Sequence, residues 1–262
     1  MRTDAPLRVA VAGAGGRMGG ELVRLLARDP ACRLAAAWIG AGSDGRGRDA
    51  AELAGITALG IACTETGEAG AEVDVVVDFS TVTAVPGVAR AAVECGAALV
   101  SGVTGLDEAA REALRESARQ VPVLHADNFS IGVTVLRELA VIARERLGPG
   151  FDIEISEAHH RGKRDAPSGT ARMLGRALGD KQGRIRTGAR GGSEIGYSVC
   201  RGGNVVGEHT VSFLGPHERL ELTHRAEDRS LFASGALSAA RWLVVQPPGQ
   251  YTLEDCIARD GN

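Results

Sequence analysis

Leu7-Arg8-Val9-Ala10-Val11-Ala12-Gly13-Ala14-Gly15-Gly16-Arg17-Met18-Gly19 is the stretch that decides the fold class. Its first six residues are a short apolar run that stops at glycines. Met18, Leu22, Leu25 and Leu26 then recur at helical spacing, so the segment predicts a strand, a glycine turn and a helix. Such a turn aims backbone N–H groups and the positive end of the helix dipole at one point, which suits a pyrophosphate. The spacing is not a strict GxGxxG, because Met18 holds the third glycine's place and Gly19 follows one residue later. A helix start that is merely packed tightly on its strand is the alternative. Gly13, Ala14, Gly15, Gly16, Arg17 and Met18 are the candidate dinucleotide contacts here.

The same alternation continues outward from this stretch. Arg33 to Ile39 and Val73 to Phe79 read as strands, Ala84 to Cys95 as a helix, and Ala98-Leu99-Val100 and Pro122-Val123-Leu124 as strands around a charged helix, Asp107 to Arg119. Short alternating units of this kind predict a doubly wound parallel sheet over residues 1 to 128. After Asn128 the rhythm changes to a helix from Ile131 to Leu147, a strand from Phe151 to Ala158, a polar loop and a helix beginning near Ser168. Tyr197 to Cys200, Glu208 to Leu214 and Arg219 to His224 alternate apolar and polar residues, as in a mixed or antiparallel sheet with one solvated face. A second, α+β domain follows. Spacing alone does not assign the last helix, Leu231 to Val245, to either domain.

Composition narrows the partners. The 30 Lys and Arg are interspersed among 33 Asp and Glu, for a net charge of −3, so no basic stripe marks a nucleic-acid or membrane surface. No run reaches the roughly 18 apolar residues of a membrane span, and the first residues lack the apolar core of a secretory signal, so a cytoplasmic protein with a small-molecule partner is expected. Five widely spaced cysteines form no CxxC pair and read as reduced thiols. Thirty-six glycines suit phosphate loops and close helix-to-sheet packing.

The densest chemistry lies in Glu157-Ala158-His159-His160-Arg161-Gly162-Lys163-Arg164-Asp165-Ala166-Pro167-Ser168-Gly169-Thr170. Pro167 and Ser168 mark a helix entry with Ser168 as N-cap, so the N–H groups of Gly169 and Thr170 and the Thr170 hydroxyl would face an anion such as a substrate carboxylate. A histidine and a lysine beside that pocket supply a proton donor and a cationic group, as reduction of an acidic imine requires. From the residues alone, a locally bonded histidine pair in a solvated loop is an equal alternative. Adjacent histidines point to opposite sides of an extended chain, so no metal site is expected.

Glu157 to Thr170 resembles the E-A-H-H-x-x-K-x-D-A-P-S-G-T signature of dihydrodipicolinate reductases. The resemblance extends through Gly13 to Gly19, Asp78-Phe79-Ser80, Gly102-Val103-Thr104-Gly105, Asn128 to Val133 and Val206-Gly207-Glu208-His209-Thr210. It implies a Rossmann-type domain of residues 1–128 plus 229–262, a substrate-binding and tetramerisation domain of residues 129–228, and a hinge between them. It also implies an NADH- or NADPH-dependent reductase of a cyclic dicarboxylate imine in lysine and diaminopimelate synthesis. Carried over by motif, His159 and Lys163 are catalytic, and His160, Ser168, Gly169 and Thr170 bind the substrate. Gly102, Val103, Thr104, Ala126, Asp127, Asn128 and Phe129 join the glycine turn in binding the cofactor. Val103 departs from the family's usual threonine, and the segment from Gly179 to Glu194, with its loop Gly188-Ala189-Arg190-Gly191-Gly192, looks shortened. Ile39-Gly40 stands where relatives often carry an acidic residue and an arginine, so Asp44, Arg46 and Arg48 are the remaining candidates to meet the ribose. Two rivals are another reductase of aspartate-derived semialdehydes or imines, and a sensor that binds dinucleotide without turnover.

Overall fold

The computed structural model describes residues 5–68, 72–180, 183, 185 and 194–258. The chain divides into two compact units, Met1–Phe129 with Ser230–Asn262, and Ser130–Arg229. The loop Gly188-Ala189-Arg190-Gly191-Gly192 lies outside the described residues.

The first unit begins with β1 (Leu7–Ala12), α1 (Arg17–Leu26), β2 (Cys32–Ile39), α2 (Ala50–Leu53), β3 (Cys63–Glu65) and β4 (Val75–Asp78). After a single 3-10 turn come α3 (Val85–Glu94), β5 (Ala98–Ser101), α4 (Glu108–Ser117) and β6 (Pro122–His125). The second unit supplies α5 (Ile131–Leu147), β7 (Asp152–His159), α6 (Gly169–Ala177), β8 (Gly196–Arg201), β9 (Gly207–Leu214) and β10 (Arg219–Ala226). The chain then returns to the first unit as α7 (Ser230–Leu243), β11 (Gly249–Tyr251) and α8 (Leu253–Ile257).

Seven parallel strands in the order β11-β6-β5-β4-β1-β2-β3 form the first sheet. Both faces are covered, which is why β4 is buried at every position. Val9 and Val11 of β1 face the core shared with α1 and α7, while Ala10 and Ala12 face that of α3 and α4. The strand order reverses between β1 and β4, the switch point at which open sheets of this kind bind ligands. Phe129, one residue past the expected boundary, is buried in this unit. Its ring meets Phe79 edge-on at 5.7 Å, and a Cβ at Gly235 of α7 would overlap its carbonyl oxygen. Four short elements, α2, β3, β11 and α8, were not expected. Asp49 organises the first two: its carboxylate accepts from the backbone N–H of Ala51, Glu52, Leu59, Gly60 and Ile61, capping α2 and fixing the approach to β3.

The second sheet is mixed, in the order β10-β9-β7-β8, with β7 parallel to β8 and the other pairs antiparallel. Ile155, Tyr197, Val211 and Phe213 build a core with Leu136 and Ala140 of α5 and Leu174 of α6. The opposite face carries Ser156, Ser198, Cys200 and Thr210.

Candidate active site

The period-two alternation of β7 sends Glu157 and His159 to the same side as Ile155, so the core face turns polar at its end. Register completes the cluster: His159 pairs with Arg201 on β8, and Glu157 with His209 on β9. The Glu157 side chain is fully buried. Its Oε2 accepts from His159 Nδ1 at 2.6 Å and Arg201 Nη1 at 2.7 Å, and its Oε1 accepts from the Ser168 N–H at 3.0 Å and Arg201 Nη2 at 2.8 Å. Burial works against its ionisation, yet these donors outweigh it and hold the carboxyl below the usual range.

With Nδ1 donating to Glu157, His159 keeps Nε2 for a reacting group. Gly207 clears space there, since a Cβ at that position would come within 3.1 Å of Nε2. Burial pushes the His159 pKa down, with Lys163 and Arg201 adding to that and Glu157 opposing it, so the protonated ring gives up its proton readily. His209 meets the His159 ring edge-on at 5.2 Å and bonds Ser168 Oγ through Nε2 at 3.0 Å. Its burial lowers its pKa to about 3, so it stays neutral.

Ser168 caps α6, its Oγ accepting from the Ala171 N–H at 3.1 Å. Gly169 and Thr170 form the first turn, where the dipole favours an anion and no acidic residue intrudes. Lys163 Nζ lies 2.9 Å from Asp165 Oδ1, and the Lys163 N–H donates to the His160 carbonyl at 3.1 Å. His160 is half-buried and sits beside Gly162. His159, His160, Lys163, Ser168, Gly169 and Thr170 thus all belong to one unit, at one end of its sheet.

The glycine turn shows a different spacing from the one expected. Gly13 has φ +79°, and a Cβ there would come within 2.6 Å of the Phe79 carbonyl oxygen. A Cβ at Gly19 would overlap the Gly13 carbonyl oxygen, and one at Gly16 would lie 3.2 Å from it. Gly15 would meet only Ile39 Cγ2, at 3.6 Å. The glycines whose Cβ would strike backbone are therefore 13 and 19, with 16 tight between them at steps of three. Arg17 is exposed, Ala14 is buried, and Met18 packs against the core. No side chain caps α1 and its first turn has no acidic residue, so its leading N–H groups suit a diphosphate. At the same sheet edge the Phe79 ring occupies the space above Gly102, and the Val103 carbonyl accepts from His125 Nε2 at 2.9 Å. Thr104 and Asp127 are exposed, and Ala126 and Asn128 are half-buried.

Residues 7–129 match the model of the dihydrodipicolinate reductase N-terminus and residues 132–257 that of its C-terminus. The chain belongs to the dihydrodipicolinate reductase family. It is 47% identical over 263 residues to the 4-hydroxy-tetrahydrodipicolinate reductase of Halorhodospira halophila, covering 96% of this chain and 98% of that one. Its identity to the reductase of Alkalilimnicola ehrlichii is 45% over 262 residues, covering 95% and 98%. A dipicolinate-bound dihydrodipicolinate reductase from Paenisporosarcina sp. TG-14 shares the fold, with TM-score 0.75 and 24% identity over 95% of this chain and 98% of that one.

Three residues of this reductase-family site had no assigned role in the sequence: Glu157, Arg201 and His209. Glu157 had a signal, since two residues along a strand returns to the same face as His159. Arg201 had none and His209 only its place in the family-like stretch Val206 to Thr210, because strand register brings them in from 44 and 52 positions away. Among the described residues no three His, Cys, Asp or Glu side chains gather as a metal set, and no helix is long and apolar enough to cross a membrane.

Proposed function

We propose that this chain catalyses the NAD(P)H-dependent reduction of 4-hydroxy-tetrahydrodipicolinate (dihydrodipicolinate) to tetrahydrodipicolinate, the reductase step of lysine and diaminopimelate synthesis. The observation that carries the reading is His159, locked through Nδ1 to buried Glu157 with Nε2 facing the space left by Gly207, on the unit that also presents the α6 N-terminus. In this reading Gly169, Thr170 and His160 bind the substrate's carboxylates, with Ser168 fixing the turn that presents them. Lys163 is the cationic partner at the ring nitrogen. After the 4-hydroxyl leaves as water, hydride addition at C4 of the unsaturated imine leaves an enamine; His159 delivers a proton to it from Nε2, and Glu157 keeps the ring aimed through the transfer.

The cofactor fits the glycine turn because the leading N–H groups of α1 have no side-chain cap. Gly13 to Met18 would hold the diphosphate, and Gly102, Val103, Thr104 and Ala126 to Phe129 would flank the ring. The bound nicotinamide supplies the hydride. Either NADH or NADPH serves, and the protein works in the cytoplasm as a homotetramer assembled through the second sheet. Neither nucleic acid nor membrane is a partner.

The test is a coupled assay in which the preceding synthase makes the substrate from pyruvate and aspartate semialdehyde, followed at the nicotinamide absorbance. Absorbance should fall only when the synthase and both precursors are present. Tight cofactor binding without such turnover would make the protein a sensor and sink the reading.

A further inference from the structure

We infer that Arg201 is a positioning residue for this reduction, one guanidinium that holds both the Glu157 carboxylate behind His159 and the backbone of the Lys163 loop. The inference rests on the function proposed above and adds a residue to it.

The geometry is one of complete occupancy. A guanidinium has five N–H donors in a rigid plane, and Arg201 places all five. Nε donates to the Lys163 carbonyl at 3.3 Å, Nη1 to Glu157 Oε2 and to the Cys200 carbonyl, each at 2.7 Å, and Nη2 to Glu157 Oε1 at 2.8 Å and the Asp165 carbonyl at 2.7 Å. Glu157 is equally saturated, with two donors on each oxygen. A carboxylate so held cannot rotate without breaking charge-assisted bonds, so the His159 ring bonded to it keeps its direction. The same plane reaches forward to residues 163 and 165, whose side chains form the Lys163–Asp165 pair at 2.9 Å. The proton donor and its cationic partner are thus referenced to one group on β8, which touches neither substrate nor cofactor in this reading.

The groups facing His159 are Glu157 on its own strand, Arg201 on β8, His209 on β9, and Lys163, paired with Asp165, in the loop. Removing the Arg201 cation should therefore raise the His159 pKa, because a neighbour that disfavours the imidazolium is gone while Glu157 remains. Arg201→Lys separates charge from shape: an ammonium keeps the charge but cannot donate to five fixed directions.

The experiment compares wild type, Arg201→Lys and Arg201→Ala by steady-state kinetics against pH and by histidine-ring NMR of the cofactor-bound protein. Arg201→Lys should lose about 10²-fold in kcat, the scale expected for small misplacement of reacting groups, while His159 titrates near its wild-type value. Arg201→Ala should lose at least as much, with the His159 titration moved upward and turnover partly restored by free guanidinium. Wild-type kcat in Arg201→Lys overturns the inference, and that variant decides the matter if Arg201→Ala does not fold. A folded Arg201→Ala that loses turnover with neither a moved titration nor guanidinium rescue overturns it too, by assigning Arg201 a purely structural role. Failure of the underlying reading looks different: His159→Gln would then turn over normally whatever Arg201 does.

Discussion

At the glycine turn after β1 the groups proposed to bind the cofactor are backbone N–H donors, and what the sequence must supply there is the absence of side chains. Around Glu157 the working groups are side chains, each held by others that came from distant strands. Gly13, Gly16 and Gly19 act by leaving room, and a methyl group on Gly13 or Gly19 would strike backbone. Glu157 and Arg201 act by filling every donor and acceptor, which leaves His159 Nε2 as that ring's one nitrogen open to a reacting group. Binding at the first region should therefore depend on volume and hardly on pH, whereas chemistry at the second should depend on charge and proton occupancy.

The largest effect expected is in the side-chain cluster. His159→Gln keeps a polar group of similar reach but removes the proposed proton donor, and turnover should fall by ~10²–10⁴-fold with cofactor affinity nearly unchanged; Lys163→Ala should behave similarly. Steady-state kinetics beside a cofactor titration would check this, and near-normal kcat in both folded variants would remove them from the mechanism. In wild type, kcat/KM should fall as pH rises through the free-enzyme pKa of His159. That point should lie below the ordinary histidine value, because burial disfavours the imidazolium the reaction needs.

At the turn the corresponding break is Gly19→Ala, whose Cβ would overlap the Gly13 carbonyl oxygen. Overpacking against backbone that cannot yield should cost about 3 kcal/mol or more and cofactor affinity with it. Gly15→Ala, in ordinary contact with Ile39 at 3.6 Å, should be tolerated. Denaturant melts and cofactor titration of both variants would decide whether the steps of three are the ones that matter; equal tolerance of the two would reject that assignment.

A third test uses pH. His209 has a pKa lowered to about 3 by burial, so the unfolded chain binds its proton more tightly than the folded one. Its contribution is complete above the ordinary value near 6.5 and is lost as pH falls toward the folded value. Between pH 7.5 and 5 wild type should lose about 2 kcal/mol of stability that His209→Gln does not. Parallel slopes for the two proteins in denaturant melts would show that His209 is not held neutral.

Thr170→Val removes one hydroxyl from the α6 N-terminus while preserving shape. A hydrogen bond to a charged group contributes about 1.5–3 kcal/mol, so substrate KM should rise and inhibition by pyridine-2,6-dicarboxylate should weaken, with cofactor KM unchanged. Unaltered KM and inhibition would take Thr170 out of the carboxylate pocket.

The smallest effect expected is cofactor preference. Arg46 is about half-exposed and already paired with Glu65 and with Glu68. Exposed pairs contribute about 0–1 kcal/mol, so the kcat/KM values for NADH and NADPH should differ by less than about tenfold, the NADPH value falling more steeply with salt. A hundredfold preference would reveal a fixed determinant elsewhere.

Long periodic elements were legible in the chain: α5 runs from Ile131 to Leu147, as its spacing predicts, and β1, β4 and β5 follow from short apolar runs between glycines and helices. The elements that escaped, α2, β3, β11 and α8, are three to five residues long. They are too short to display a period, and the two strands exist because a sheet edge pairs with them. The helix α7 carried no local sign of where it docks; packing decides that, with α-carbon approach at Gly235 letting it lie against Phe129.

The sequence by itself determined the strand, turn and helix around Gly13 to Gly19 and the capped α6 entry at Ser168, because each is written within a dozen neighbouring residues whose spacing sets their geometry. Tertiary structure alone decided which of the glycines had to be glycine, and it alone brought Arg201 and His209 to Glu157. The approach of the Phe79 carbonyl to Gly13 and the register of paired strands are relations between atoms far apart in the chain, and no local pattern of residues encodes them.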